Sequence, residues 1–288
     1  MCLDLCSKSF VTMIISEPEF NFPPKCPTCH CKLKIRMIFR VANPEQLAIL
    51  DDLFLQLVSR KSLKKGEIFS QCPFCPYFEI NIGQICEVLY MQCKKDDCKK
   101  ISCLICHREI PDVSWNPEKE EEAINPHFKC AENYDLKQEI EKILQGANGM
   151  PCPGCRKILR KEESCNKMRC ANCEIYWCYA CGEKEENMDR RVNNEVYSHF
   201  DDWKENAKRC PLYLASIKEI DPEWPADEEE AIAFFHRKRT LLQMNSFQLK
   251  VGIRKWRELK KLYPFVCNSG FSDEEIANIK QPLFKRSN

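Results

Sequence analysis

Cysteines recur along this chain in pairs two residues apart, at Cys26/Cys29, Cys72/Cys75, Cys103/Cys106, Cys152/Cys155, Cys170/Cys173 and Cys178/Cys181. No other feature limits the fold as strongly. A two-residue gap lets both thiolates of a tight turn face one metal ion, and a distant pair closes the tetrahedron at about 2.3 Å per Zn–S bond. The 288 residues hold 22 Cys and only 8 Gly, which excludes a collagen-like or flexible glycine-rich chain. The first twenty residues carry Asp4, Glu17 and Glu19 and lack a basic start before a long apolar core, so no secretory signal is expected. The longest apolar runs, such as 11–15, fall far short of the roughly 20 residues of a membrane span. A cytoplasmic or nuclear protein with no membrane partner is therefore expected. In such a reducing compartment, many cysteines mean metal coordination or thiol chemistry rather than disulfides. With 44 basic and 43 acidic residues, the net charge of +1 favours neither nucleic acid nor an anionic membrane.

The pairs fall into two blocks of similar grammar. The first runs Cys72-x2-Cys75, Cys93-x4-Cys98, Cys103-x2-Cys106 and His127-x2-Cys130. The second runs Cys152-x2-Cys155, Cys170-x2-Cys173, Cys178-x2-Cys181, then His199 and Cys210. Each offers eight ligands for two zinc ions, so four Zn(2+) are expected. The assignment is Cys72, Cys75, Cys93 and Cys98 at one site and Cys103, Cys106, His127 and Cys130 at the next. In the second block it is Cys152, Cys155, Cys170 and Cys173, then Cys178, Cys181, His199 and Cys210. His107 directly follows Cys106 and reads as a surface or packing residue.

Between and after the blocks the periodicity is helical. Asn43 and Pro44 read as an N-cap and first helical residue, and Leu47, Leu50, Phe54, Leu57 and Val58 mark a helix over about 44–63. Leu136, Ile140, Ile143 and Leu144 mark a linker helix over 131–145, ended by Gly146. Beyond Cys210, Ile232, Phe235, Leu242, Ile253, Trp256, Leu259 and Leu262 indicate a long or broken helix, weakened at Gly252 and stopped at Pro264. Ser272 and Glu275 fit a capping box. These helices would pack on the zinc modules or on each other, or else present a docking surface. Cys267 lies outside the zinc grammar and reads as a packing residue. The expected fold is α+β, built of small zinc-stabilised modules joined by helices and followed by a helical tail. Its divisions are 1–35, a helical connector 36–66, zinc domains 67–131 and 151–213 joined by the linker 132–150, and a tail 214–288.

The second block has nine candidate ligands for eight positions, and Cys165 is outside every pair. Its surroundings, Glu162-Glu163-Ser164-Cys165-Asn166-Lys167-Met168-Arg169, predict an exposed loop, and Lys161, Lys167 and Arg169 would favour a nucleophilic thiolate. Cys86 is left over in the first block at nearly the same distance from its opening pair, in an apolar context that suits a buried thiol. From spacing alone, Cys165 is either a nucleophile or a spare ligand.

Here the sequence resembles a known family. Cys152-Pro153-Gly154-Cys155, Ser164-Cys165-Asn166-Lys167-Met168-Arg169-Cys170 and Trp177-Cys178-Tyr179-Ala180-Cys181-Gly182 look like the second RING of RBR (RING-in-between-RING-RING) ubiquitin ligases. Residues 67–131 resemble their in-between-RING domain and 132–150 their connecting helix. The gap from Cys181 through Ser198-His199-Phe200 to Cys210 resembles the branch of the androgen-receptor-associated member. The resemblance implies a relay in which a conjugating enzyme passes ubiquitin to a cysteine, matched here by Cys165, and then to a lysine of a protein substrate. Several members carry a histidine two residues after that cysteine as a base, whereas this chain has Lys167. In 1–35, Cys2, Cys6, Cys26, Cys29 and Cys31 with His30 resemble a first RING lacking half of each zinc site. Three functions follow as expectations: a ubiquitin ligase or its catalytic C-terminal part, a non-catalytic zinc module binding ubiquitin or other proteins, and, least supported, a nucleic-acid binder using the basic stretch 156–161.

Overall fold

The computed structural model describes residues 10–16, 18–26, 31–85, 87–111, 117–188, 199–206 and 208–279. Two compact units divide after Tyr134. Cys2, Cys6, Cys29, His30 and Cys86 lie outside the described residues.

The first unit begins with an apolar cluster. Helices α1 (Ile35–Val41) and α2 (Pro44–Lys61) bury Ile38, Leu50, Phe54 and Leu57 with Phe10, Val11 and Ile14 of the helical stretch 10–16. At the start of α2 the Asn43 side chain accepts from Gln46 N at 2.8 Å, while Asn43 N donates to the Gln46 side chain at 3.1 Å. That reciprocal cap, with Pro44 at the first helical position, fixes where the helix begins. Val58, expected on the apolar face, is exposed.

The first block follows as two small antiparallel sheets. Strands β1 (Glu67–Gln71) and β2 (Phe78–Ile82) form a hairpin, and β3 (Tyr90–Gln92), β4 (Ile101–Cys103) and β5 (Glu109–Ile110) form a three-stranded sheet. Helix α3 (Pro117–Glu132) then carries His127 and Cys130. The sequence reading gave these residues no helix, and Pro126 inside one costs about 3 kcal/mol through its missing amide donor and ring clash. Acidic residues near the N-terminal end complement the helix dipole, and ligands three apart share a helix face.

In the second unit, α4 (Tyr134–Gln145) starts three residues later than expected and gives way to a 3-10 turn at Gly146. Two hairpins follow, β6 (Met150–Pro151) with β7 (Ile158–Leu159) and β8 (Lys167–Arg169) with β9 (Tyr176–Cys178). After Cys210 the chain enters α5 (Glu228–Val251), capped by Asp227, whose side chain accepts from Glu230 N at 3.0 Å. At Gly252 the backbone takes φ of 82°, a conformation glycine adopts without penalty, and α6 (Ile253–Leu262) sets off in a new direction. Pro264 opens α7 (Pro264–Cys267), and the Ser272/Glu275 capping box opens α8 (Asp273–Asn278).

The tail packs on the second block. Ala231 and Phe235 of α5 share one core with Trp177, Tyr179, Leu214, Ile217 and Trp224. Each such large side chain contributes about 1.5–3 kcal/mol on burial. Two expectations fail here: Ile253 is half exposed, and Cys267 is exposed with its thiol 3.8 Å from Lys260 O. Cys267 follows Val266, which takes the buried position at the end of α7. Among the described residues, no helix is long and apolar enough to cross a membrane.

A buried polar pair joins tail and block. The Tyr179 hydroxyl lies 2.9 Å from His236 Nε2 and donates to Leu159 O at 3.3 Å. Burial pushes the His236 imidazole down to about 4 and the Tyr179 phenol up to about 12. An unfolded histidine takes a proton near pH 6.5. This contribution to stability is therefore intact above about 6.5 and lost as the pH falls towards 4, by about 3 kcal/mol in all. His236→Gln should flatten the pH dependence of the urea midpoint across that window relative to the parent chain.

Candidate metal centres and a candidate nucleophile

Each close cysteine pair of the two blocks caps the turn of a hairpin or bridge. Cys72 and Cys75 lie beyond the Gln71–Phe78 pair, Cys93 and Cys98 beyond Gln92–Ile101, and Cys103 and Cys106 beyond Ser102–Glu109. In the second block Cys152 and Cys155 lie inside Pro151–Ile158, Cys170 and Cys173 inside Arg169–Tyr176, and Cys178 and Cys181 inside the Trp177–Lys184 bridge. The backbone repeats as well. The amide of the first cysteine donates to the carbonyl five residues on, at 2.8 Å for Cys72 to Tyr77, 3.0 Å for Cys103 to Arg108, 2.9 Å for Cys152 to Lys157, 3.0 Å for Cys170 to Ile175 and 2.9 Å for Cys178 to Glu183.

The residue after the second cysteine takes a left-handed conformation at Lys99, His107, Arg156, Glu174 and Gly182. A non-glycine residue pays about 1–2 kcal/mol for that geometry, a cost that a metal bond at the cysteines would offset at the four non-glycine positions. Pro76 occupies the position after Cys75, where its fixed negative φ forbids the same turn. Gly154 has a separate cause. A Cβ there would sit 2.3 Å from Ile175 Cδ1 and 3.1 Å from Cys173 Sγ, so the side-chain-free residue lets the two turns of one set close together.

The turns converge as four sets: Cys72, Cys75, Cys93, Cys98; Cys103, Cys106, His127, Cys130; Cys152, Cys155, Cys170, Cys173; and Cys178, Cys181, His199, Cys210. Within each, the donor atoms lie within 4.8 Å of one another, and each set could hold a metal ion. A tetrahedral zinc with 2.3 Å sulfur bonds has S–S edges of about 3.8 Å, and S–N edges of about 3.6 Å to a histidine. The observed edges are 3.8 Å for Cys72–Cys98, 3.4 Å for Cys75–Cys93, 3.5 Å for Cys152–Cys173 and 3.6 Å for Cys155–Cys170. His127 presents Nδ1, 3.3 Å from Cys106 Sγ, whereas His199 presents Nε2, 3.6 Å from Cys181 Sγ. The donor chemistry and spacing thus fit zinc.

Electrostatics agree. A backbone hydrogen bond from Lys157 lowers the Cys155 thiol to about 6, while burial pushes Cys93 up to about 12. In the fourth set, hydrogen bonding with Cys178 drives Cys181 down and Cys210 up. Three thiols this close cannot all ionise unaided, and a divalent cation among them would let each do so. Hydrogen bonds donated by the protonated ring to the Cys103 and Cys106 sulfurs raise His127 to about 9, so metal binding there would displace a proton.

Of the N-terminal cysteines, Cys26 is buried and Cys31 is exposed, and the Cys26 amide donates to Cys31 O at 2.8 Å. Among the described residues these form no fifth set. His107 is exposed and belongs to none.

Cys165 is outside all four sets. It is half-buried, with its thiol 3.8 Å from Lys167 O, on the loop that enters β8. Residues Glu162, Glu163 and Ser164 are exposed as expected, but Asn166 is fully buried. Asn166 N donates to Leu212 O at 2.7 Å, its side-chain amide donates to Pro211 O at 2.9 Å, and its carbonyl accepts from Tyr179 N at 2.7 Å. The segment directly after Cys210 therefore anchors the neighbour of the thiol. The sequence reading missed Asn166 because a polar residue in a polar run looks solvated. Its three cations also need correction. Lys161 is buried and ion-paired with Glu228, while Lys167 and Arg169 lie over the Tyr176 ring at 5.4 Å and 5.8 Å. Of the basic stretch 156–161, Lys161 is thus withdrawn from the surface while Arg156, Lys157 and Arg160 stay exposed.

Residues 132–189 match the family described as IBR domain, a half RING-finger domain. E3 ubiquitin-protein ligase RNF217 of Xenopus laevis is 25% identical over 191 residues, 63% of this chain and 61% of that one. E3 ubiquitin-protein ligase RNF19A of Homo sapiens is 23% identical over 192 residues, 62% and 21% of the two chains. The chain thus carries an IBR-domain match and is similar to E3 ubiquitin-protein ligases of the RBR type. E3 ubiquitin-protein ligase RNF14 of Danio rerio, 22% identical over 247 residues, matches 78% of this chain and 50% of its own length. The chain spans less than two thirds of the length of these curated relatives. The domain match falls on α4 and the second block rather than on the first, and both blocks share the same turn architecture.

Proposed function

We propose that this protein is an RBR-type E3 ubiquitin transferase in which Cys165 carries ubiquitin as a thioester, with Zn(2+) held at the four Cys/His sets. The observation that carries the reading is a half-buried thiol outside every ligand set, on a loop whose next residue is fixed by three hydrogen bonds. The partners would be ubiquitin, a charged ubiquitin-conjugating enzyme and a protein substrate offering a lysine. The similarity to named E3 ubiquitin-protein ligases supports the same class of reaction.

The chemistry balances without a redox partner. The Cys165 thiolate attacks the thioester carbonyl, forming a new C–S bond as the bond to the conjugating enzyme's sulfur breaks, and that sulfur leaves as the thiolate. A lysine amine then attacks the same carbonyl, a C–N bond forms, and Cys165 departs and recovers a proton from the amine. Exchange between thioesters is nearly balanced in energy, so placement of the thiol governs the rate. Bound zinc would supply structural cross-links only, fixing the turns that frame the loop.

The test is a single-turnover chase. Chain charged with ubiquitin is mixed with free lysine, and the thioester should decay as ubiquityl-lysine appears in equal amount. A thioester that persists, or decays only to free ubiquitin, would favour a zinc module that binds ubiquitin without transferring it.

A further inference from the structure

We infer that Glu228, in the first turn of α5, is a positioning residue for Cys165, an inference that rests on Cys165 being the ubiquitin acceptor. Its carboxylate is largely buried and gathers three donors from two separate segments. One oxygen accepts from Leu214 N at 3.1 Å and from the Lys161 ammonium, and the other accepts from Ala215 N at 2.8 Å. Lys161 precedes the nucleophile by four residues, and its side chain is 0% exposed. Leu214 and Ala215 continue the segment whose Pro211 and Leu212 carbonyls hold Asn166.

The loop 161–166 is thereby tied at both ends to one strip of chain, 211–215, directly through Asn166 and through Glu228 at the Lys161 end. Loop residues Lys161, Glu162 and Glu163 line a cavity of about 530 Å³ with Glu229 and Ile232 of α5, so loop and helix face each other beyond the clasp itself. Tyr179, which donates its amide to Asn166, is also held from α5 by His236.

Glu228 neither gives nor takes a proton in the transfer. Its effect passes through the loop, by fixing the line along which the Cys165 sulfur meets the thioester carbonyl. A misplacement of about 1 Å in such a step can lower a rate by on the order of a hundredfold. Removing one partner of a buried ion pair also leaves the other charged and unpaired, so Glu228→Ala loosens the loop from two sides. Glu228→Gln keeps the volume and one acceptor oxygen, enough for only one of the amides of Leu214 and Ala215, while losing the charge.

The experiment uses the full, zinc-loaded chain and ubiquitin activated as a chemical thioester, with metal content measured for each variant. Glu228→Ala should lower kcat for charging of Cys165 by about tenfold or more, leave KM within about twofold, and speed hydrogen exchange at the Asn166 amide by about tenfold. Glu228→Gln should fall between it and the parent. If Glu228→Ala fails to retain its metal, Glu228→Gln decides by the same readouts. Parental kcat and Asn166 exchange in the retained variants would overturn the positioning role alone. A parent chain that is never charged would instead overturn the thioester reading on which the role depends, and the two failures separate cleanly.

Discussion

Cys165→Ser should abolish ubiquitin transfer, lowering single-turnover transfer by roughly a thousandfold or more, because a serine hydroxyl forms far less anion at neutral pH than a thiol. The rest of the molecule should not respond. Cys165 is no member of the four sets, so the variant should bind the same amount of zinc as the parent and keep the same urea midpoint. Cys267→Ser is the matched control, since that thiol is exposed on the tail outside all four sets, and it should transfer at the parental rate. Retained transfer in Cys165→Ser would move the chemistry elsewhere. Loss of zinc in that variant would make Cys165 a ligand, the alternative that spacing alone leaves open.

Metal removal should have the second large effect. The second block is built of strands only two or three residues long, and Trp177, paired across its hairpin with Met168, is fully buried although the hairpin is so short. Isolated two-stranded hairpins are marginal in water. Structural zinc supplies about 10–16 kcal/mol per site in small peptides, comparable with the whole stability of about 5–15 kcal/mol of an ordinary domain. A strong chelator should therefore unfold the block, red-shift the emission of Trp177 and of the tail's Trp224 that shares its core, and release Ala231 and Phe235 from Trp177 and Tyr179. Because Cys210 leads directly into the strip that holds Asn166, charging of Cys165 should cease with the same dose dependence. Near-UV circular dichroism unchanged after complete removal of zinc would show that apolar packing alone suffices.

How far the sequence anticipates these features depends on how local their causes are. A cysteine pair two residues apart meets one metal through a five-residue turn, so spacing alone groups the sixteen donors as the structure does. Caps are equally local, and Asn43/Gln46 and Ser272/Glu275 are readable as written. Helix α3 is not, because Pro126 argues against a helix and its stabilisation comes from elsewhere. The least legible residues are Lys161, Asn166 and Glu228. Each sits in a polar run that reads as solvated surface, and each is buried by segments about 45 to 67 residues away in sequence. Cys267 fails in the opposite sense, since an exposed thiol carries no pattern that sets it apart from a packed one.

The most direct measurement is intact-mass and peptide mass spectrometry of the zinc-loaded chain after mixing with a chemically activated ubiquitin thioester, which needs no conjugating enzyme. The expected result is one ubiquitin adduct, removed by added thiol and mapped to Cys165, and absent from Cys165→Ser. A fully zinc-loaded chain that acquires no such adduct, or acquires it on another cysteine, would contradict the role assigned to Cys165.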